Sequence, residues 1–111
     1  MDRVVRYYKV NNNPKATHLK AEIYYSLGGM NYFTSRDEPR GYYMSISPVK
    51  RDGVCESYTA FTGLKNLILP VHRKSQKQMD IAKKYFDDHI IEFMRRYFSE
   101  FDVETDNYEI A

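Results

Sequence analysis

Tryptophan is absent, cysteine occurs once and histidine three times in the 111 residues of this chain. The lone Cys55 excludes an internal disulfide, and Met1 to Val10 is basic without the apolar stretch of a signal peptide. Together these point to a reducing, cytoplasmic setting. No apolar run approaches the roughly 18–20 residues that cross a bilayer, so no membrane partner is expected. Metal-binding pairs are missing as well. His18, His72, His89 and Cys55 form no C-x-x-C or H-x-x-x-H spacing, and His89 with Glu92 supplies only two ligands. There is no G-x-S-x-G elbow, and Gly28-Gly29 lacks the surroundings of a phosphate loop. Cys55 reads as a small buried side chain on a strand. The sequence therefore predicts no cofactor, no structural metal and no catalytic centre. A small metal-dependent nuclease is the enzyme reading left open, with Glu22, Asp52 and Glu56 as the carboxylates that would have to converge. The Glu-x-Lys triplet of restriction-type nucleases is absent.

What is present is patterned. His18 to Ser26 alternates, with Leu19, Ala21, Ile23 and Tyr25 on one side and Lys20, Glu22, Tyr24 and Ser26 on the other. Gly41 to Val49 alternates again, and Pro48 predicts a strand end or sheet edge. Gly28-Gly29 and Asp52-Gly53 are turn dipeptides, so Met30–Thr34 and Val54–Thr62 read as returning strands. Ser35 to Arg40 reads as a polar loop, and Leu64 to Val71 as one more strand. Val4 to Val10 reads as a short strand or an extended arm, ended by Asn11-Asn12-Asn13-Pro14.

After Ser75 the period becomes helical. Ser75 and Gln78 form a Ser-x-x-Gln capping box. Met79, Ala82, Phe86, Ile90, Phe93 and Tyr97 mark the stripe expected to face the sheet, widened by Ile81, Tyr85, Ile91, Met94 and Phe98, with Phe86 and Phe93 as its central anchors. Lys83–Asp87, Lys84–Asp88 and Glu92–Arg96 are four apart, as ion pairs on the outer side require. A helix from Ser75 to Ser99 would be roughly 37 Å long, so its end is expected to overhang the sheet and expose Phe98 or Phe101. The fold expected is α+β: an antiparallel sheet of four or five strands packed against one long C-terminal helix. Residues 1–16 read as an arm or edge strand, 17–99 as a single domain and 100–111 as an acidic tail.

Charge is uneven. All 17 Lys and Arg residues lie in positions 1–99, giving that body +7, while 100–111 carries −5, for a net +2. Between Lys65 and Lys84 there are six bases, Lys65, Arg73, Lys74, Lys77, Lys83 and Lys84, against the single acid Asp80. Cations at a helix start oppose the helix dipole, so Arg73, Lys74 and Lys77 do not serve the helix. Beside free backbone N–H groups they would hold an anion or an acidic protein surface. Eleven tyrosines form the second signal. Depending on register, Tyr24, Tyr43 or Tyr58 would stand on the open face of the sheet, where they would serve a protein partner or stack bases. Solvated charge and ordinary strand tyrosines explain the same residues without any function.

The segments EIYYSLGGMNYFTSRDEPRGYYMSISPV and ESYTAFTGLKNLILPVHRKS carry the landmarks Gly28-Gly29, Tyr32-Phe33, Arg40-Gly41-Tyr42-Tyr43, Ser57 to Gly63 and Arg73-Lys74-Ser75. Over Ala21 to Lys77, roughly half of the chain, they resemble a group of small uncharacterised proteins encoded by mobile elements and plasmids of Gram-positive bacteria. The resemblance carries no catalytic residues. It implies an accessory factor that counters host defence, as anti-CRISPR proteins do, or one that binds nucleic acid during transfer. The partner expected is then a host effector or ribonucleoprotein, such as a Cas nuclease with its guide RNA, with nucleic acid itself as the alternative. A dimer is left open.

Overall fold

The computed structural model describes residues 3–31 and 35–110. In chain order the elements are β1 (Arg3–Asn11), β2 (His18–Ser26), β3 (Gly29–Asn31), β4 (Arg36–Glu38), β5 (Gly41–Asp52), β6 (Cys55–Tyr58), β7 (Leu64–Leu69), α1 (Gln76–Tyr97), β8 (Asp102–Val103) and β9 (Glu109–Ile110). Every strand pair is antiparallel. The main sheet has seven strands in the order β6-β5-β2-β1-β8, with β7 also on β5 and β9 also on β1. The class is α+β, as the alternation and the single helical period predict.

The extra strands arise because both outer positions are broken in two. Pro48 has no N–H to give to a ladder. It lies inside β5, not at a strand end or a sheet edge, and the neighbouring chain breaks opposite it. β6 pairs with Val49–Asp52, β7 pairs with Tyr42–Ile46, and Thr59 N donates to the Pro48 carbonyl at 3.4 Å between them. Gly63 brings the chain back close against β5, where a Cβ would meet the Ile46 carbonyl at 2.9 Å. At the other side β8 and β9 both pair with β1, so β1 is an inner strand and neither an arm nor an edge. The acidic segment supplies those two strands, and α1 is therefore followed by returning chain instead of ending the domain.

Met30 does not start a strand returning on β2. β3 pairs with β4 in a separate two-stranded sheet, so part of the Ser35–Arg40 loop is a strand. Residues 32–34, including Tyr32 and Phe33, lie outside the described residues. Gly28-Gly29 adopts the positive φ its turn requires, but the turn leads out of the main sheet into this small hairpin.

The core lies between one sheet face and α1. Tyr8 and Val10, then Leu19, Ala21 and Ile23, then Tyr42, Met44 and Ile46 meet Met79, Ala82, Phe86, Ile90 and Met94. Burying each large apolar side chain contributes about 1.5–3 kcal/mol, which holds α1 down despite its polar outer side. The buried row runs 82, 86, 90, 94, 98 and not through Phe93 and Tyr97. Phe93 is only partly buried and Tyr97 is 47% exposed. Phe98 and Phe101 are both buried, because the chain turns back after α1 and Phe61 packs edge-on against Phe101. Arg6 is the unexpected member of this interface. It is buried on the helix side of β1, bonded to Asp87 Oδ1 at 2.6 Å, with its guanidinium over the rings of Phe86 and Tyr108.

Candidate macromolecule-binding surface

Ser75 caps α1, its Oγ accepting from Gln78 N at 3.2 Å. The return half of the capping box is replaced: the Ser75 N–H goes to Tyr42 Oη at 3.3 Å, and that hydroxyl donates to the Ser75 carbonyl at 3.2 Å. The preceding turn is held by two more side chains. Tyr25 Oη donates to the His72 carbonyl at 2.7 Å, and Arg40 Nη1 donates to the same oxygen at 3.4 Å. The backbone carrying His72, Arg73 and Lys74 is thus fixed by three side chains, Tyr25 at the end of β2, Arg40 just before β5 and Tyr42 at its start. The amides of Gln76 and Lys77 belong to the first turn, which a helix cannot satisfy internally.

Around that end the charge is one-sided. His72, Arg73, Lys74 and Lys77 are all exposed, and the first turn holds no acid. Asp80, one turn on from Gln76, is engaged by Gln76 Nε2 at 2.7 Å. Arg40, which pattern reading passed over, adds a further cation. Its role depends on a contact with residue 72, which no local spacing reveals. Lys83 and Lys84 stand apart from this group, each paired one turn on with Asp87 at 3.3 Å and Asp88 at 2.8 Å. The Glu92–Arg96 pair is not formed among the described residues.

The tyrosines are only partly available. Tyr43 is buried, stacked on Tyr24 with ring centroids 6.0 Å apart, and its hydroxyl donates to the Pro39 carbonyl. Lys65 closes over the pair, its Nζ 4.9 Å from the Tyr43 centroid and 2.7 Å from Glu38 Oε2. Burial raises the pKa of both Tyr24 and Tyr43. Tyr58 is the exposed one, at 67%. Tyr24, Tyr58 and Lys74 nonetheless line a single open cleft of about 460 Å³, together with Arg3 and Glu22. Of the aromatic candidates Tyr24 and Tyr58, and of the basic ones Lys74, therefore share one cleft.

Beyond that cleft the same sheet face is an ion-pair lattice. Lys20 Nζ sits 3.3 Å from Glu22 Oε1 and 3.0 Å from Glu56 Oε1, and Arg3 also bonds the buried Glu22. Tyr7 Oη donates to Glu56 at 2.8 Å, and Arg51 lies over the Tyr7 ring and bonds Glu109 at 2.6 Å. Burial opposes the charge on Glu56, yet the bonds from Tyr7 and Lys20 outweigh it and hold its pKa below the ordinary value. Burial likewise works against the Lys20 ammonium, and its two carboxylates more than compensate, so its pKa rises. Glu22 and Glu56 do converge, but on a lysine. Among the described residues no group of three or more His, Cys, Asp and Glu is placed to hold a metal ion. Asp52 is exposed at the β5–β6 turn, and Cys55 is exposed too, because β6 lies at the sheet's edge rather than inside it.

No helix among the described residues is long and apolar enough to cross a membrane. No protein-family model matches the chain, nor does any curated protein or solved structure.

Proposed function

We propose that this chain is a small non-catalytic binding protein of a mobile element. It inhibits a host defence effector, such as a CRISPR nuclease, by gripping the protein or its guide-RNA complex at the basic end of α1. The observation that carries the reading is the built character of that end. Tyr25, Arg40 and Tyr42 fix the turn, while Arg73, Lys74 and Lys77 stand out from it around open backbone amides. Cations there work against the helix by about 0.3–1 kcal/mol each. A preorganised anion-binding end is the compensating use. The mobile-element context rests on the resemblance of residues 21–77.

The cleft beside Lys74 extends the surface, with Tyr58 as its exposed aromatic. The lattice at Lys20 balances its own charges, so it supports the sheet and does not compete for an anion. Because the basic end suits phosphate as well as carboxylate, bare nucleic acid is the second reading. A cleavage assay separates them. With a reconstituted effector, added chain is expected to suppress DNA cleavage with an endpoint near stoichiometric, unchanged when competitor RNA is added. Suppression abolished by competitor RNA would favour the nucleic-acid reading, and metal-dependent cleavage by the chain itself would sink both.

A further inference from the structure

We propose that the chain forms a symmetric dimer in which a second copy covers the outer flank of α1. The row Ile81, Tyr85, His89, Phe93 and Tyr97 recurs at four-residue steps and so forms one ridge along the helix. Ile81, Tyr85 and Tyr97 are 48%, 37% and 47% exposed. Such a continuous apolar ridge is unlike the scattered exposed side chains of an ordinary surface. Within it the rings stack for Tyr85–His89 and His89–Phe93, with centroids 4.1 Å and 6.0 Å apart, and lie tilted at 5.9 Å for Phe93–Tyr97. Their faces are engaged, so the ridge offers apolar edges to a protein rather than platforms to a base. Asp87, on the opposite flank, is bonded to Arg6 of β1. The ridge therefore lies on the side away from β1, where β7 is an outer strand and pairs only with β5.

Charge identifies the occupant. The row beside the ridge on the solvent side is Asp80, Lys84, Asp88, Glu92 and Arg96. Read against itself in the opposite direction, it sets Asp80 against Arg96 and Lys84 against Glu92, with Asp88 at the centre. The ridge read the same way sets Ile81 against Tyr97, Tyr85 against Phe93 and His89 against itself. Apolar and charged rows thus give centres one residue apart, at 89 and 88. Two copies of α1 side by side and antiparallel, related by a two-fold axis through that centre, make both sets of contacts, with Asp88, paired with its own Lys84 at 2.8 Å, facing Asp88 of the second copy near the axis. Such an axis leaves the two charged rows on the same side of the seam, facing each other. Glu92 has no ion-pair partner among the described residues, and Arg96 rests over its own Tyr97 ring at 5.4 Å. The second copy supplies the opposite charge to each. This proposal stands apart from the basic-end reading, since neither surface includes the other.

Sedimentation equilibrium on the full chain tests it, using wild type, Arg96→Glu, Asp80→Arg and the double variant, with urea midpoints as a check on folding. The wild type is expected to dimerise. Each single reversal occurs twice in a symmetric interface and should raise the dissociation constant by about tenfold, while the double reversal should return it to within about threefold of wild type. Tyr85→Glu should leave only monomer. A wild type that stays monomeric at every concentration, a dimer indifferent to the reversals, or a double variant weaker than both singles would each overturn the proposal.

Discussion

Removing the Phe86 ring should be far more damaging than removing the Phe93 ring, although both occupy helical positions that a sequence pattern treats alike. Phe86 is fully buried, and its ring also carries the guanidinium of Arg6 at 4.8 Å from the centroid. Phe86→Ala forfeits the burial and leaves a cavity, about 3–5 kcal/mol together. Loss of the cation–ring contact adds about 0.5–2 kcal/mol and strands a buried arginine beside Asp87, so the total belongs in the upper part of that range or above it. Phe93 is half-buried against His89 and Tyr97, and its truncation should remove roughly half as much, about 1–2 kcal/mol. Urea titrations followed by far-ultraviolet circular dichroism give both numbers directly. At several degrees of Tm per kcal/mol, the thermal difference should be plain as well. Equal losses would show that α1 is rotated toward the Phe93–Tyr97 stripe. The core assignment and the exposed ridge would then both fail.

Arg6 and Asp87 should be strongly coupled. Asp87→Ala leaves a buried cation with less to pair it and should cost about 1–3 kcal/mol, less than a fully buried pair because Asp87 is partly exposed, whereas Arg6→Met with Asp87→Ala should recover much of that loss in a double-mutant cycle. Additive effects would mean that the pair contributes nothing. Stability should fall in acid in two stages. His18, whose burial lowers its pKa, resists protonation in the folded chain, so stability present above the unfolded value of 6.5 is lost as pH falls through it. Glu56, with its pKa depressed, adds a second loss below the unfolded value of 4.5. His18→Gln should flatten the first stage in urea midpoints measured across pH. A midpoint profile unchanged by that substitution would remove His18 from the explanation.

The parts of the fold read correctly from sequence are those set by local pattern. β2 and β5 alternate because each has one face under α1, and their register follows from burying Ile23 with Met44 and Ala21 with Ile46. The Ser75 cap is equally local. What pattern reading missed depends on distant chain. β8 and β9 are two residues each, too short to show a period, and exist because β1 offers them an edge. Pro48 was legible as a break, but the break falls in the neighbour rather than in its own strand. The helix stripe drifts because steps of four residues wind slowly around a helix of about 3.6 residues per turn, carrying burial from Phe86 to Ile90, Met94 and Phe98. For the candidate surface, Arg73, Lys74 and Lys77 were visible as charge, while Arg40 and the tyrosines that fix the turn were visible only as residues.

The central claim is that the basic end of α1 holds a macromolecular partner. Its most direct test is quantitative capture from a Gram-positive host lysate, with and without nuclease treatment, by wild-type chain and by the variant combining Arg73→Glu and Lys74→Glu. The variant should bind the captured partner at least about tenfold more weakly, or about 1.4 kcal/mol, with an unchanged or slightly higher urea midpoint, and wild-type capture should weaken as salt rises. A variant that captures the same partner as tightly as wild type would contradict the account.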